Sequence, residues 1–263
     1  MITVTSWGVG GSLVDTGRTG RAWLGASRGG AVDLVSHALA NRLVGNPEHL
    51  ACIETSGGLG FTVTAPTMVA VTGAVAAVEV LHGPAVGWGA PVVLPAGALV
   101  QVQRLVDGAR SYVSFRGGLS ASGTDFRVGP DPLQPPATVA AARRAPRVDI
   151  GLWPGPRLEW FVPEALERLL GTGYTVSTTS RVGTRLQGAP MNRSRGGELP
   201  SEGMVEGAVQ VPPDGQPIVM LADHPTTGGY PVIAVVDPDD VHHVAQAAPG
   251  TVLTFHLHRE RAR

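Results

Sequence analysis

Hydrophobic positions recur along the chain in short β-branched runs broken by Gly, Pro or Asp, the pattern of a mainly antiparallel β protein. Runs at 2–7, 68–71, 76–81, 99–105 and 112–115 predict strands in the first half, and runs at 174–177, 209–211, 218–222, 233–236 and 252–258 predict them in the second. Val100 and Val102 alternate with Gln101 and Gln103, which puts the valines on one buried face and turns the glutamines to water. Three segments carry helical signals. Residues 31–44 set Val32, Val35, Leu39 and Leu43 on one stripe and stop at Gly45, ahead of Asn46 and Pro47. A second helix is predicted from near Pro163, with Glu164 in its first turn, to Gly171. A third takes Asp237 as N-cap and Pro238 as its first residue, ending before Pro249. Three helices among about ten strands argue against a doubly wound parallel sheet.

Between Gly129 and Gly151 the chain turns rich in proline and poor in core residues, which marks a linker. Arg18, Gly20, Gly25 and Ala26 recur at a constant offset as Arg181, Gly183, Gly188 and Ala189. These signals predict two β-barrel-like lobes: an N-terminal lobe at 1–130, a Pro-rich linker at 131–150 and a C-terminal lobe at 151–263.

All 20 cationic side chains are arginine, so no residue can form a Schiff base, fill the lysine position of a phosphate-binding P-loop or carry biotin covalently. If biotin takes part, another chain brings it. A net charge of -1 gives no electrostatic basis for binding nucleic acid or an anionic membrane surface. Lone Cys52 excludes an intrachain disulfide and suits a reducing compartment, so a cytoplasmic location is expected. The uncharged stretches 55–78 and 83–103 are interrupted by Pro66, Pro84, Pro91 and Pro95, and read as buried strands rather than membrane spans.

Several constellations carry candidate chemistry. Gly25-Ala26-Ser27-Arg28-Gly29 fits the G-x-S-x-G nucleophile elbow, but so short a pattern arises readily by chance among 36 glycines, and the βα alternation it needs is missing. His256 and His258 share a strand face and could share a metal, or face water on an edge strand. Asp237, Asp239, Asp240, His242 and His243 resemble a ligand set, yet helix capping accounts for the acids, so no metal is predicted. Cys52, within an apolar run, reads as a core thiol. Glu54 just beyond it must be hydrogen-bonded or paired, as a structural or a ligand-binding anchor. The richest segment is 210–231, where a Pro-Pro-Asp-Gly turn feeds a hydrophobic strand that opens onto Asp223, Thr226, Thr227, Gly228, Gly229 and Tyr230. The two glycines at positive φ would turn successive N–H groups toward an anion, and Arg181 and Arg185 would add bidentate contacts. The alternative is a structural loop with surface ion pairs.

These residues resemble the allophanate hydrolase subunit 2 family, also described as the biotin-dependent carboxyltransferase-like, KipA or 5-oxoprolinase C-subunit family. The resemblance rests on Asp15-Thr16-Gly17-Arg18-Thr19-Gly20, on Gly30-Ala31-Val32-Asp33 leading to Asn41 and Gly45-Asn46, on Glu54, and on Ser180-Arg181 through Gly188. Ser201-Glu202-Gly203, the run from Gln210 to Gln216, and the run from Asp223 to Pro231 complete it in the family's order. Val14 stands where the family usually has Gln, Gly29 where it has Ser, and Ser27 where it has Pro.

The resemblance implies a cyclophilin-like, mainly β fold. It also implies work with an allophanate hydrolase subunit 1-like partner (KipI, or the 5-oxoprolinase B-subunit) and a LamB-like third subunit, opening 5-oxoproline to glutamate with ATP. In that reading Asp223 and Tyr230 are the catalytic candidates, Asp223 being the candidate base. Arg181, Arg185, Thr226, Thr227, Gly228, Gly229, Gln210, Glu54 and Arg18 would bind a small carboxylate or amide substrate, or a phosphate. ATP contacts would be shared with the partner, since no Walker A motif is present. Two alternatives come with the resemblance: carboxyl transfer in a biotin-dependent urea or amide carboxylase, and a non-catalytic KipA-like antagonist of a histidine-kinase inhibitor.

Overall fold

The computed structural model describes residues 1–122, 125–142, 145–197 and 199–258. The chain divides into two compact units, Met1–Gly17 with Asp33–Ala145, and Arg18–Val32 with Pro146–Arg263. Residues 18–32 thus belong with the C-terminal half of the sequence. Among the described residues the secondary structure is mainly β, with three α-helices: α1 (Leu34–Leu43), α2 (Ala165–Gly171) and α3 (Val241–Gln246).

The first unit is built on a nine-stranded, largely antiparallel sheet. The runs at 68–71 and 76–81 belong to one strand, Thr67–Leu81, and those at 99–105 and 112–115 to another, Leu99–Phe115. The two pair along their length, with register shifts between Gly73 and Val78 where the sequence breaks its alternation. Val100 and Val102 are buried and Gln101 and Gln103 half-buried, as their alternation predicts. Ile2, Ile53, Leu59, Phe61, Val113 and Phe115 form the core, with Phe61 and Phe115 edge-to-face at 5.2 Å.

Helix α1 departs from its predicted face. It starts at Asp33 as N-cap, whose carboxylate accepts from the Ser36 N–H at 2.9 Å, rather than at residue 31. Val35 is 53% exposed, and the buried positions are His37, Ala40, Asn41 and Leu43. The reason is that this helix packs on polar groups. Asn41 accepts from the Ser114 hydroxyl at 2.6 Å and donates to the Leu50 carbonyl at 2.8 Å. Asn46 bridges the Asn41 side chain at 3.0 Å and the Phe115 carbonyl at 2.8 Å. His37 sits edge-to-face on Tyr112 at 6.3 Å, and burial pushes its pKa down. Gly45 has φ +74°, and a Cβ there would stand 2.5 Å from the Arg116 guanidinium, so the residue after the helix must be glycine.

The proline-rich segment is held to this unit. Arg116 donates to the carbonyls of Pro132 at 2.8 Å and Gln134 at 3.0 Å, and the Ala137 N–H donates to Leu43 at 2.9 Å.

The second unit contains a closed seven-stranded barrel. Its order is Asp149–Pro154, Val232–Val236, Ala208–Gln210, Ile218–Met220, Gly183–Gln187, Tyr174–Thr179 and Val252–Leu257. Parallel pairing of the strand Val252–Leu257 with Asp149–Pro154 closes it, so Val252–Leu257 is flanked on both sides and is no edge strand. The chain therefore forms two β lobes, as the sequence predicts, one closed into a barrel and the other left as an open sheet. Ile150, Leu152, Leu169, Tyr174, Val209, Val219, Ile233 and Leu253 fill the barrel. Helix α3 begins after Asp240, one turn later than predicted; Asp237 instead caps the preceding turn, accepting from the Asp239 N–H at 2.9 Å. No helix among the described residues is long and apolar enough to cross a membrane.

Candidate active-site corner

The strand Ile218–Met220 is flanked by Gly183–Gln187 and Ala208–Gln210, and its exit positions the corner. Leu221 donates to the Val182 carbonyl and Asp223 to the Arg181 carbonyl, both at 2.9 Å, so the ladder holds the backbone as far as Asp223. Arg181 then clasps the Asp223 carboxylate with two hydrogen bonds, at 2.7 and 3.2 Å, and donates to the Gly30 carbonyl at 2.6 Å. A bidentate pair of this kind fixes the plane of the carboxylate. Its side chains stay 24% and 34% exposed, so the pair faces accessible space.

The segment 18–32 completes this corner within the same unit. Gly29 donates to the Ala222 carbonyl at 3.0 Å and Arg18 to the Arg28 carbonyl at 2.6 Å. Arg28 is bidentate to Glu206, with both bonds at 2.8 Å, which bolts the segment to the barrel. Gly29 has φ +62°, and a Cβ on it would lie 3.4 Å from an Arg18 nitrogen and 3.7 Å from an Asp223 oxygen. Arg18, Asp223 and Arg181 thus converge around Gly29–Gly30. A carboxylate flanked by two guanidinium groups can accept from a substrate N–H while a neighbouring arginine takes a substrate anion.

The other half of the loop is engaged differently from the expectation. Neither Gly228 nor Gly229 is among the glycines at positive φ, so they form no anion-binding nest. Thr227–Gly228 instead pairs with Glu202–Gly203 as a short ribbon. Gly228 leaves room for two side-chain ends, since a Cβ there would stand 2.7 Å from the Gln210 amide nitrogen and 2.8 Å from the Met204 methyl. The carbonyls of Thr226, Gly229 and Tyr230 accept from Met204 N–H, Leu199 N–H and the Gln210 side chain, at 2.9, 3.0 and 3.1 Å. Buried Gln210 is therefore a bracket for the loop. Thr227 is exposed, and Tyr230 is half-buried beneath the Arg193 guanidinium, 5.7 Å from the ring centre.

Arg185 and Glu54, two predicted site residues, are held by contacts of their own. Arg185 lies on the outer face of its strand, opposite Ile218. Glu54 belongs to the first unit, where it is 2% exposed, accepts from the Tyr112 hydroxyl at 2.8 Å and lies 3.9 Å from Arg110. The Tyr112 oxygen also accepts from the Asp33 N–H at 2.8 Å, so Glu54 anchors the start of α1. Burial and then Glu54 push the Tyr112 hydroxyl's pKa well up, and the same causes push up the Cys52 thiol, which fits its reading as core.

The remaining motifs separate cleanly. Ser27 lies in an irregular loop after the turn Ala22–Leu24, without the strand-to-helix geometry of an elbow. His256 faces Asp149 at 3.0 Å and His258 faces Asp237 at 3.2 Å, so each ring has its own carboxylate. Among the described residues no group of three metal-ligating side chains is present. Sequence reasoning missed Arg193, the Arg28–Glu206 bolt and the Arg157–Glu202 pair, in which the hydrogen bond from Arg157 lowers the Glu202 pKa. The Arg-Ser-Arg-Gly-Gly string at 193–197 was the visible signal for the first of these.

Known proteins resemble the chain along its whole length. A family model described as carboxyltransferase domain, subdomain A and B, matches residues 24–125 and 121–257. The chain is 32% identical to the C-subunit of 5-oxoprolinase from Escherichia coli, over 97% of this chain and 90% of that protein. It superposes on the crystal structure of TTHA0988 with TM-score 0.83 and 30% identity, covering 97% of this chain but 56% of that one. The Kluyveromyces lactis urea carboxylase shares the fold, with TM-score 0.85 and 22% identity, over 97% of this chain and 27% of that chain. With both subdomains matched and a relative aligned over nine-tenths of its length, the chain belongs to the carboxyltransferase domain, subdomain A and B, family.

Proposed function

We propose that this chain is a subunit of an ATP-dependent 5-oxoprolinase complex, working beside an allophanate hydrolase subunit 1-like protein and a LamB-like protein on a cyclic amide acid. The observation that carries the reading is the end-to-end correspondence with the 5-oxoprolinase C-subunit; the exposed Arg181–Asp223 corner supports it.

A lactam carbonyl is a poor electrophile, and phosphorylation of its oxygen by ATP turns that oxygen into a leaving group. In this chain Asp223, its plane set by Arg181, accepts from the ring N–H and orients the amide. Arg18 holds the substrate carboxylate. Tyr230 stays a candidate on the same loop, held against Arg193, and Arg185 and Glu54 are given no role. The donor set of arginines and exposed Thr227 suits an oxyanion, while the absence of lysine leaves the nucleotide's remaining contacts to the partner chain.

The family's carboxyltransferase description favours one second reading, transfer of a carboxyl group from carboxybiotin to an amide nitrogen at the same corner. The biotin would arrive on another chain.

Mixing the purified chain with the two partner types and measuring glutamate formed from 5-oxoproline and ATP decides between these. The expected result is turnover that requires all three chains and no biotin. A requirement for a biotinylated carrier would move the assignment to carboxyl transfer, and no turnover under either condition would leave the KipA-like binding role.

A further inference from the structure

Beyond the corner, the second unit carries an open cleft of about 860 Å³, walled by residues 190–197 on one side and 213–215 on the other. Its volume lies in the range of small-molecule sites. The walls are built rather than incidental. Met191 donates to the Gly215 carbonyl at 2.9 Å, and Gly215 donates to Pro212 at 3.0 Å. Gly215 has φ +75°, and a Cβ on it would stand 2.9 Å from Pro190, so the two walls meet at the base only because the residue is glycine. Ser194 donates to the Trp160 carbonyl at 2.9 Å, and the Arg193 guanidinium is engaged by the Val211 and Gly197 carbonyls and by the Tyr230 ring.

Arg195, two residues further on, is different. It lines the cleft with an exposed side chain and makes no hydrogen bond or ion pair among the described residues. Asn192 and Ser194 line the cleft with polar side chains and Val162 with an apolar one, while Met191, also at the lining, is buried in the barrel core. Asp214 is the acid among the lining residues, and one of its oxygens already accepts from the Gln216 N–H at 3.0 Å. Among the described lining residues two arginines stand against one engaged acid.

We propose that this cleft is a binding site for a small oxyanion, a carboxylate or a phosphate carried on a compact apolar or amide body, with Arg195 as its bidentate anchor. Val162 offers the body an apolar contact, and Asn192 and Ser194 meet its polar edge. The site does not depend on the oxoprolinase reading.

The test titrates the purified full chain with 5-oxoproline, glutamate and inorganic phosphate, each to about 10 mM, by calorimetry or ligand-detected NMR. Wild type is expected to bind at least one of the three, with the pattern telling carboxylate from phosphate. R195Q, at an exposed position that leaves the fold intact, is expected to weaken that binding by about tenfold or more, and R104Q, at an exposed position outside the cleft, to leave it unchanged. Binding that R195Q leaves intact, an equal loss in R104Q, or no binding of any probe would overturn the proposal.

Discussion

Tyr112 joins the buried polar groups of the first unit through one oxygen, accepting from the Asp33 N–H and donating to Glu54. It is fully buried, so no water replaces it when the hydroxyl is removed. Tyr112→Phe preserves the ring and strips both groups of this partner. The expected cost is about 2 kcal/mol of unfolding free energy, read as a lower urea midpoint at unchanged slope. An unaltered midpoint would mean that Glu54 and Asp33 are satisfied elsewhere. At this scale much was legible: a carboxylate closing an apolar run had to be bonded, and Glu54 is. What stayed hidden was the choice of partner. Arg181 and Asp223 are both visible as charged residues in distinctive strings, but that they clasp each other depends on two strands meeting 42 positions apart.

At the scale of elements, the segment 18–32 shows how a run without regular periodicity is held in place. Its one short helical turn, Ala22–Leu24, buries no residue, and Trp23 is 81% exposed. Order comes instead from the Arg28–Glu206 bolt and from the backbone bond of Gly29 to Ala222. Glu206→Gln removes the charge from a pair whose side chains are 15% and 23% exposed. Global stability should fall by about 1–3 kcal/mol. Amide exchange at Gly29 and its neighbours should accelerate selectively. Uniform acceleration across the barrel would instead make the pair part of the global fold. The strands were legible from alternation alone, whereas α1 misled because its buried face carries His37 and Asn41, and a stripe of apolar residues cannot announce a polar interface. The glycines of the 228–229 loop misled for a related reason: glycine signals close approach as often as positive φ, and here Gly228 makes room for Gln210.

For the whole molecule, the family strings turn out to divide into two kinds of work. Asn41, Gly45, Asn46, Gln210 and Gln216 are brackets; Gln216, for example, accepts from the Gly188 N–H at 2.8 Å and donates to the Gly188 carbonyl at 3.2 Å. Asp223, Arg181 and Arg18 form an exposed polar corner, in which Arg181 also ties the Asp223 carboxylate to the Gly30 carbonyl. The apparent repeat relating Arg18 to Arg181 is no duplication of lobes, because both residues lie in the second unit and converge on the same glycines. Composition could announce two β units, but not that fifteen residues of the N-terminal stretch would belong with the barrel.

The central claim is that the Asp223 corner handles the substrate in a multi-chain amide-opening enzyme. Its most direct measurement is kcat/KM for ATP-dependent glutamate formation from 5-oxoproline by the reconstituted complex, wild type against Asp223→Asn, with assembly checked by size-exclusion chromatography. The account predicts a loss of about a hundredfold or more in the variant with the complex intact. Undiminished turnover by an equally well assembled D223N complex would contradict it.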